Sequence, residues 1–415
     1  MYDNIMVAVD NSECSRHAVD LSIEMARALG ARLTGIHVYA ARLHDARFRQ
    51  LEPGLPDRYR AEDALERLRG IHGDLIGRGL GIISDSYLDD FEVRCREVGV
   101  EATRKTPEGR NYLRLVEDAR ESGYDLVAIG AHGLGRVDRS VLGSVCERVA
   151  RLVECDLLVV RNGRLPGTEP LLVAIDGSAH SFAALRVALH LGRAFGSPVS
   201  AVAAYDPFFH GAAFRGLAGV LSGEAARLFR FEEQERLHGE IIDGGLAAVY
   251  RGHLLEAQEV AAREGQLLGI DLVEGKPFDA IASHVEVVRP PLLIVGRIGV
   301  HHSDGVTMGS TAENLLRLAG CNVLVVNRGV DRQAAATSTI EAAARPPDTA
   351  GQASEADVWW SPEAELRLGR VPSFVRKMVR RRMEGFARER GFREITPEVY
   401  DQARQRFGMG GGSLS

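Results

Sequence analysis

Short apolar runs alternate with stretches of helical periodicity through the first 330 residues. Ile5-Met6-Val7-Ala8-Val9 has no polar alternation, as expected of a strand buried on both faces. Ala18, Leu21, Met25 and Leu29 then recur at helical spacing, with Ser12 placed to cap that helix and Gly30 to end it. The same reading predicts a strand over 33–39, charged helical sequence to about Arg96, a strand near 100–104 and a helix over 112–121. A strand over 126–130, a helix from Ser144 and a strand over 157–160 follow. Strands alternating with helices predict an open parallel α/β sheet of the Rossmann-like kind, covered on both faces.

The whole pattern returns at an offset of 166. Asp10 falls on Asp176, Ser12 on Ser178, Gly30 on Gly196, Tyr39 on Tyr205, Glu147 on Glu313 and Cys155 on Cys321. No gap is needed, so two tandem domains are expected, 1–163 and 168–330. Ala-, Thr- and Pro-rich sequence over 331–357 reads as a flexible linker, and 358–408 as a small helical domain.

One phrase in each repeat carries candidate chemistry: Gly130-x-x-Gly133, nine residues, then Gly143-Ser144, and likewise Gly296-x-x-Gly299 before Gly309-Ser310. Glycines let backbone N–H groups approach phosphate oxygens, and a helix opening at Ser144 or Ser310 offers further amides to an anion. Both loops, with Asp10 and Asp176, fall at the carboxyl ends of strands, where parallel sheets bind ligands. No Gly-Lys-Ser/Thr follows, so the loops are not Walker P-loops. Asp10 and Asp176 have a plainer alternative as helix caps, and Ser144 and Ser310 are expected to cap their helices in any case.

Asp-x-Ser after the first strand, the glycine phrase, Gly143-Ser-Val-Cys-Glu-Arg-Val149 and the closing Leu157-Leu-Val-Val160 resemble the ATP-binding branch of the universal stress protein family. The resemblance spans both repeats. It implies that Asp10, Val38, Gly130, Gly133, Gly143 and Ser144 hold adenine, ribose and triphosphate, and that Asp176, Ala204, Gly296, Gly299, Gly309 and Ser310 do so in the second repeat. ATP, with magnesium as an optional companion, is the implied ligand. The family pairs through its last strand, which implies an intrachain pseudo-dimer of 157–160 against 324–326, with homodimerisation left open. Departures include Asn11 for the glycine seen as Gly177, Asn111 for Pro277, and Pro290-Pro291 where repeat one has Asp125. The first loop adds Arg136 and Arg139 as phosphate partners, and the second has His301, His302 and Asp304, so site one is expected to be the stronger. Valine at Gly143 is expected to block the phosphate position and leave the fold intact.

Other polar residues have ordinary readings. His44 with His210 and His72 with His238 repeat at the same offset, which shared packing explains as well as a cofactor does. His301-His302-x-Asp304 contains metal-ligand residue types, yet loops gather polar residues anyway. Cys155 and Cys321 read as small buried residues.

Composition changes the picture only at the tail. The chain is 45% hydrophobic and 26% charged with a net charge of −6, which names no nucleic-acid partner. Residues 359–415 carry twelve Lys and Arg against seven Asp and Glu, so a basic tail follows an acidic body. Five cysteines with no Cys-x-x-Cys suit a reducing cytoplasm. No apolar run approaches the ~20 residues needed to cross a bilayer, and Met1-Tyr2-Asp3-Asn4 lacks a basic leader, so secretion and membrane insertion are not expected.

In the tail, Val371, Phe374, Val375, Met378, Val379, Phe386 and Ala387 form a helical stripe, and Thr396-Pro397-Glu398 starts another helix. Arg370–Arg376, Glu384–Gly391 and Ile395–Val399 resemble the small C-terminal domain of the light-independent protochlorophyllide reductase B subunit. That implies an interaction module for a protein partner. A basic hairpin binding any acidic surface is the alternative, and Arg380-Arg381-Arg382 could touch nucleic acid. The expected function is an ATP-binding regulator, not a catalyst. Slow ATP hydrolysis, an accessory role in tetrapyrrole reduction and an empty scaffold stay open.

Overall fold

The computed structural model describes residues 1–137, 140–207, 243–300, 307–328 and 359–406, excepting 370–379, 381, 382, 385, 389 and 391. The chain divides into two compact units, Met1–Ala336 and Thr337–Ser415.

In the first unit the apolar runs form β1 (Asn4–Ala8), β2 (Arg32–Ile36), β3 (Ala102–Lys105), β4 (Leu126–Gly130) and β5 (Asp156–Val160). The second repeat supplies β6 (Leu171–Ala174), β7 (Val199–Tyr205), β8 (Leu268–Glu274), β9 (Leu292–Gly296) and β10 (Asn322–Val326). All ten make one sheet in the order β3-β2-β1-β4-β5-β10-β9-β6-β7-β8. Every pairing is parallel except β5 with β10, where Leu158 faces Leu324 antiparallel. The two repeats therefore join by their last strands, as the family resemblance implied. An apolar terminal strand would otherwise leave an open edge.

The helices cover both faces. α1 (Glu13–Leu29) is capped by Ser12, whose Oγ accepts from Ser15 N, and ends at Gly30 with φ 69°. α2 (Ala41–Leu51) and α3 (Glu62–Glu97) form the long charged insertion, α4 is Asn111–Ser122 and α5 is Ser144–Leu152. In repeat two, α6 is Ala179–Phe195, α7 Asp243–Arg263, α8 Pro277–Val288 and α9 Ser310–Leu318. One core layer packs α1, α3, α6 and α7 on the sheet, and the other packs α4, α5, α8 and α9.

The sequence reading needs two adjustments here. The second strand stops at Ile36 and not at Tyr39, which rejoins the sheet by an isolated bridge to Glu108. Ser144 and Ser310 are the first residues inside their helices. The caps are Gly143 and Gly309, in extended conformation, without a side-chain cap bond. The cap residue's carbonyl accepts the first helical bond, here from Glu147 N to Gly143 O at 2.9 Å, so the serines stand one place further in.

The second unit has its own core of Ala364, Leu368, Met383, Phe386, Ala387, Ile395, Val399, Tyr400 and Ala403. It is not purely helical: Trp359–Trp360 pairs in parallel with Glu394–Ile395. Helices Pro362–Gly369 and Pro397–Arg406 flank this ladder. The stripe residues 371–379, the linker 331–357, Arg381 and Arg382 lie outside the described residues.

Candidate functional site

The chain leaves β1 through a tight corner. Asn11 has φ 58° and its counterpart Gly177 φ 84°. The left-handed turn explains glycine in one repeat, and asparagine is among the side-chain residues that tolerate it best. Asp10 Oδ1 accepts from Ser12 N at 3.0 Å, and Ser12 Oγ donates to His132 O at 3.0 Å. The first strand's exit is thereby tied to the glycine loop. Asp10 is not the helix cap, which is Ser12, and Asp10 instead braces the turn before it.

Three glycines of the first loop have a spatial reason, whereas a Cβ on Gly135 would meet nothing within 4 Å. A Cβ on Gly130 would lie 2.8 Å from Ser15 N, one on Gly133 2.5 Å from Asp10 Oδ2, and one on Gly143 3.0 Å from Ala131 O. Gly143 N donates to Ala131 O at 2.7 Å, closing the loop on itself. The start of α5 is thus held against the end of β4. The N–H groups of the first helical turn have no intrahelical partner.

These residues border one cavity of about 750 Å³. Asp10, Val38, Gly130, Gly133, Arg136, Gly143 and Ser144 all line it, and Arg139 lies outside the described residues. Ile36, Leu115 and Ile129 make an apolar flank. His37, also in the wall, shares a hydrogen bond between Nδ1 and Ser84 Oγ at 2.8 Å and meets Tyr87 edge-on. Burial lowers its pKa, and the nearby Asp10 charge opposes this more weakly. His132 joins Ser140 O through Nε2 at 2.9 Å. Neither histidine was singled out from the sequence, because neither repeats: position 203 is alanine and 298 isoleucine.

The second cavity, about 540 Å³, is bordered by Asp176, Ala204, Gly296, Gly299, Gly309 and Ser310. Asp176 accepts from Ser178 N at 2.9 Å and from Val300 N at 3.0 Å, so both its oxygens are held by backbone. Lys276 and Arg297 are also among the residues that border it, the Arg297 guanidinium being turned to Thr307 O and to Ala150 O of α5. Arg297 was also missed in the sequence, although its counterpart is Ala131 and the mismatch was readable. The metal-type residues His301, His302 and Asp304, with His210 and His238, lie outside the described residues. His72 stacks on Phe48 at 4.3 Å, a packing contact. All five cysteines are free thiols. Burial pushes Cys321 up to about 12, and half-buried Cys155 also to about 12.

The family model for the universal stress protein family matches residues 1–161 and again 167–327. The chain belongs to the universal stress protein family. A second model, the proto-chlorophyllide reductase 57 kD subunit, matches residues 360–404. Universal stress protein YxiE of Bacillus subtilis is 26% identical over 161 residues, 39% of this chain and 100% of its own length. A universal stress protein crystal structure from Archaeoglobus fulgidus covers 79% of this chain and 97% of its own, at 17% identity and TM-score 0.50. It has the same fold. A family member from Arabidopsis thaliana with AMP bound covers 39% of this chain and 92% of its own, at 16% identity and TM-score 0.25.

Proposed function

We propose that this tandem universal stress protein binds adenine nucleotide, ATP foremost, in its first repeat and passes the bound state to a protein partner through its C-terminal unit. The observation that carries the reading is the convergence of an acidic residue, an apolar slot and a helix N-terminus on one cavity. Asp10 suits ribose hydroxyls, the wall at Ile36, Val38, Leu115 and Ile129 suits a base, and the amides opening α5 suit phosphate. A volume near 750 Å³ is in the range of small-molecule sites. Magnesium would enter with the phosphates that coordinate it. The second cavity repeats the arrangement, with Lys276 at its border, and we read it as an anion-accepting site of the same ancestry.

A binding role uses His37 and His132 as wall residues, each holding one ring nitrogen on a neighbour, Ser84 Oγ and Ser140 O. Free thiols suit the cytoplasm. Among the described residues no helix is long and apolar enough to cross a membrane. The match at 360–404 favours a second reading, in which the tail links the protein to tetrapyrrole-reducing machinery.

Calorimetry of the full chain with ATP, ADP, AMP and cAMP tests the first reading, alongside Ser144→Glu. A carboxylate at the first residue of α5 is compatible with the helix and occupies the phosphate position. Loss of at least tenfold in affinity is expected. No binding of any adenine nucleotide, or unchanged affinity in the variant, would reject the assignment.

A further inference from the structure

The walls of the two cavities correspond at the offset of 166 through most of their length. Asp10 with Asp176, Val38 with Ala204 and Ser144 with Ser310 hold equivalent places. The first wall continues where the second stops. It runs on over His37 and Tyr39 at the end of β2, His44 of α2, and Leu80, Ile83 and Tyr87 of α3. The counterparts Ala203, Tyr205, Leu246, Val249 and His253 are all described, and none borders the second cavity, where α7 supplies Tyr250 instead. His210, the counterpart of His44, lies outside the described residues.

One exchange of side-chain size on the helix accounts for the difference. Tyr250 stands where repeat one has Ser84. Ser84 is 1% exposed, and its Oγ donates to Leu80 O at 2.8 Å and so accepts from His37 Nδ1, also at 2.8 Å. A small side chain withdrawn in this way leaves room between α3 and the end of β2. Tyr250 brings a ring to the same position, edge-on to His253 with centroids 5.9 Å apart, and itself borders the cavity. The volumes agree in sense, about 750 Å³ in repeat one and about 540 Å³ in repeat two.

The extension lies on the other side of the sheet from the wall that suits a base. Ile36 and Val38 belong to the core layer of α4 and α5, whereas Tyr87 packs on the layer that holds Leu88 and Phe91 of α3. Successive strand residues face opposite ways, and His37 accordingly meets α3 at Ser84 and Tyr87. The first cavity therefore has two lobes, with Asp10 in its wall. The described residues of the second lobe include no Lys, Arg, Asp or Glu, and burial holds His37 below its ordinary pKa. Rings and aliphatic side chains without fixed charge suit an uncharged aromatic group, not a further phosphate.

We propose that site one takes a dinucleotide, an adenine nucleotide whose phosphates carry a second nucleoside, with the second base in the lobe of His37, Ile83 and Tyr87. The second cavity, closed by Tyr250, takes mononucleotides. This inference rests on the nucleotide reading of site one and extends it.

Calorimetry of the full chain compares diadenosine tetraphosphate with adenosine 5′-tetraphosphate, which has as many phosphates and lacks the second nucleoside. The dinucleotide is expected to bind about tenfold tighter, as stacking of one more base allows, and to slow hydrogen exchange over residues 80–88 more than the tetraphosphate does. Ser84→Tyr copies repeat two, and Ile83→Trp fills the lobe from a helix position that is 42% exposed. Each should bring the two affinities to within about twofold of one another. Ser144→Glu, in which the second cavity is the remaining site, should show no preference either. Equal affinities in the wild type, equal protection of 80–88 by both ligands, or a preference that survives in folded Ile83→Trp overturns the second lobe and leaves the nucleotide reading standing. Absence of binding by either ligand rejects that reading and this inference with it.

Discussion

Gly143 and Gly309 occupy equivalent places, yet alanine should affect them differently. Neither needs glycine for its backbone angles, since φ is −66° and −67°. Space decides. At 143 the new Cβ would lie 3.0 Å from Ala131 O and 3.3 Å from His132 Cα, both backbone atoms. Ala131 O is also the acceptor of the bond from Gly143 N. Relief therefore requires the loop itself to move, at about 1–3 kcal/mol for overpacking a tight site. At 309 the nearest atoms, Arg297 O and Gly299 N, are 3.4 Å away, an ordinary contact. There the lower entropy of the unfolded chain favours alanine by about 0.4–1 kcal/mol. The expectation of an intact fold for valine at 143 is thus revised: any side chain there presses on the cradle. Urea unfolding followed by far-UV circular dichroism measures the difference, because the only tryptophans, Trp359 and Trp360, lie in the other unit. Gly143→Ala should lower the midpoint and weaken ATP binding, whereas Gly309→Ala should do neither at site one. Equal midpoints for the two variants would refute the steric argument.

Other outcomes follow from the seam and the tail. Asp156, 1% exposed, accepts from Tyr2 OH at 2.7 Å and Asn327 N at 2.8 Å and pairs with Arg328. Asp156→Ala orphans these groups and should cost about 3 kcal/mol, but Asp156→Asn, the residue found at 322, should cost less than about 1.5 kcal/mol. Burial raises the Asp156 pKa despite its donors, so its contribution is complete below the ordinary carboxylate range and declines as pH rises through the raised value. Denaturation at pH 4 and pH 7 should show Asp156→Asn losing that slope, and an unchanged slope would contradict it. A fragment of residues 1–163 exposes β5 and should self-associate in ultracentrifugation, where a monomer at high concentration would count against the pairing logic. Removing 359–415 should leave ATP affinity within twofold and abolish partner capture in pull-downs, and a collapse of affinity would instead make the tail part of the site.

The strand and helix order was legible because buried parallel strands are continuous apolar runs, such as Leu126–Gly130, and helix ends have local signals such as Ser12 and Gly30. The second repeat was legible because a gapless duplication keeps every landmark in register. That the named residues of each repeat border one cavity followed from that, since parallel strands bring their carboxyl ends to one edge. Local patterns do not specify which residue meets which across 150 positions of chain. Glycine, not serine, as the cap of α5 depended on how the loop closes on Ala131. The Trp359–Trp360 ladder depended on a partner strand of two residues, too short to have a period.

The sequence by itself determined two α/β units of one ancestry, each with a glycine loop opening a helix, because those features are written in spacing and side-chain type. The tertiary structure alone decided that Asp156 and Asn322, equivalent in sequence, each hold the chain leaving the other repeat's last strand. It alone decided that Arg161 and Arg297, unrelated in sequence, reach equivalent helix ends. The physical reason is that antiparallel pairing of β5 with β10 sets a pseudo-twofold axis, and contacts across such an axis depend on where the two surfaces meet rather than on any period along the chain.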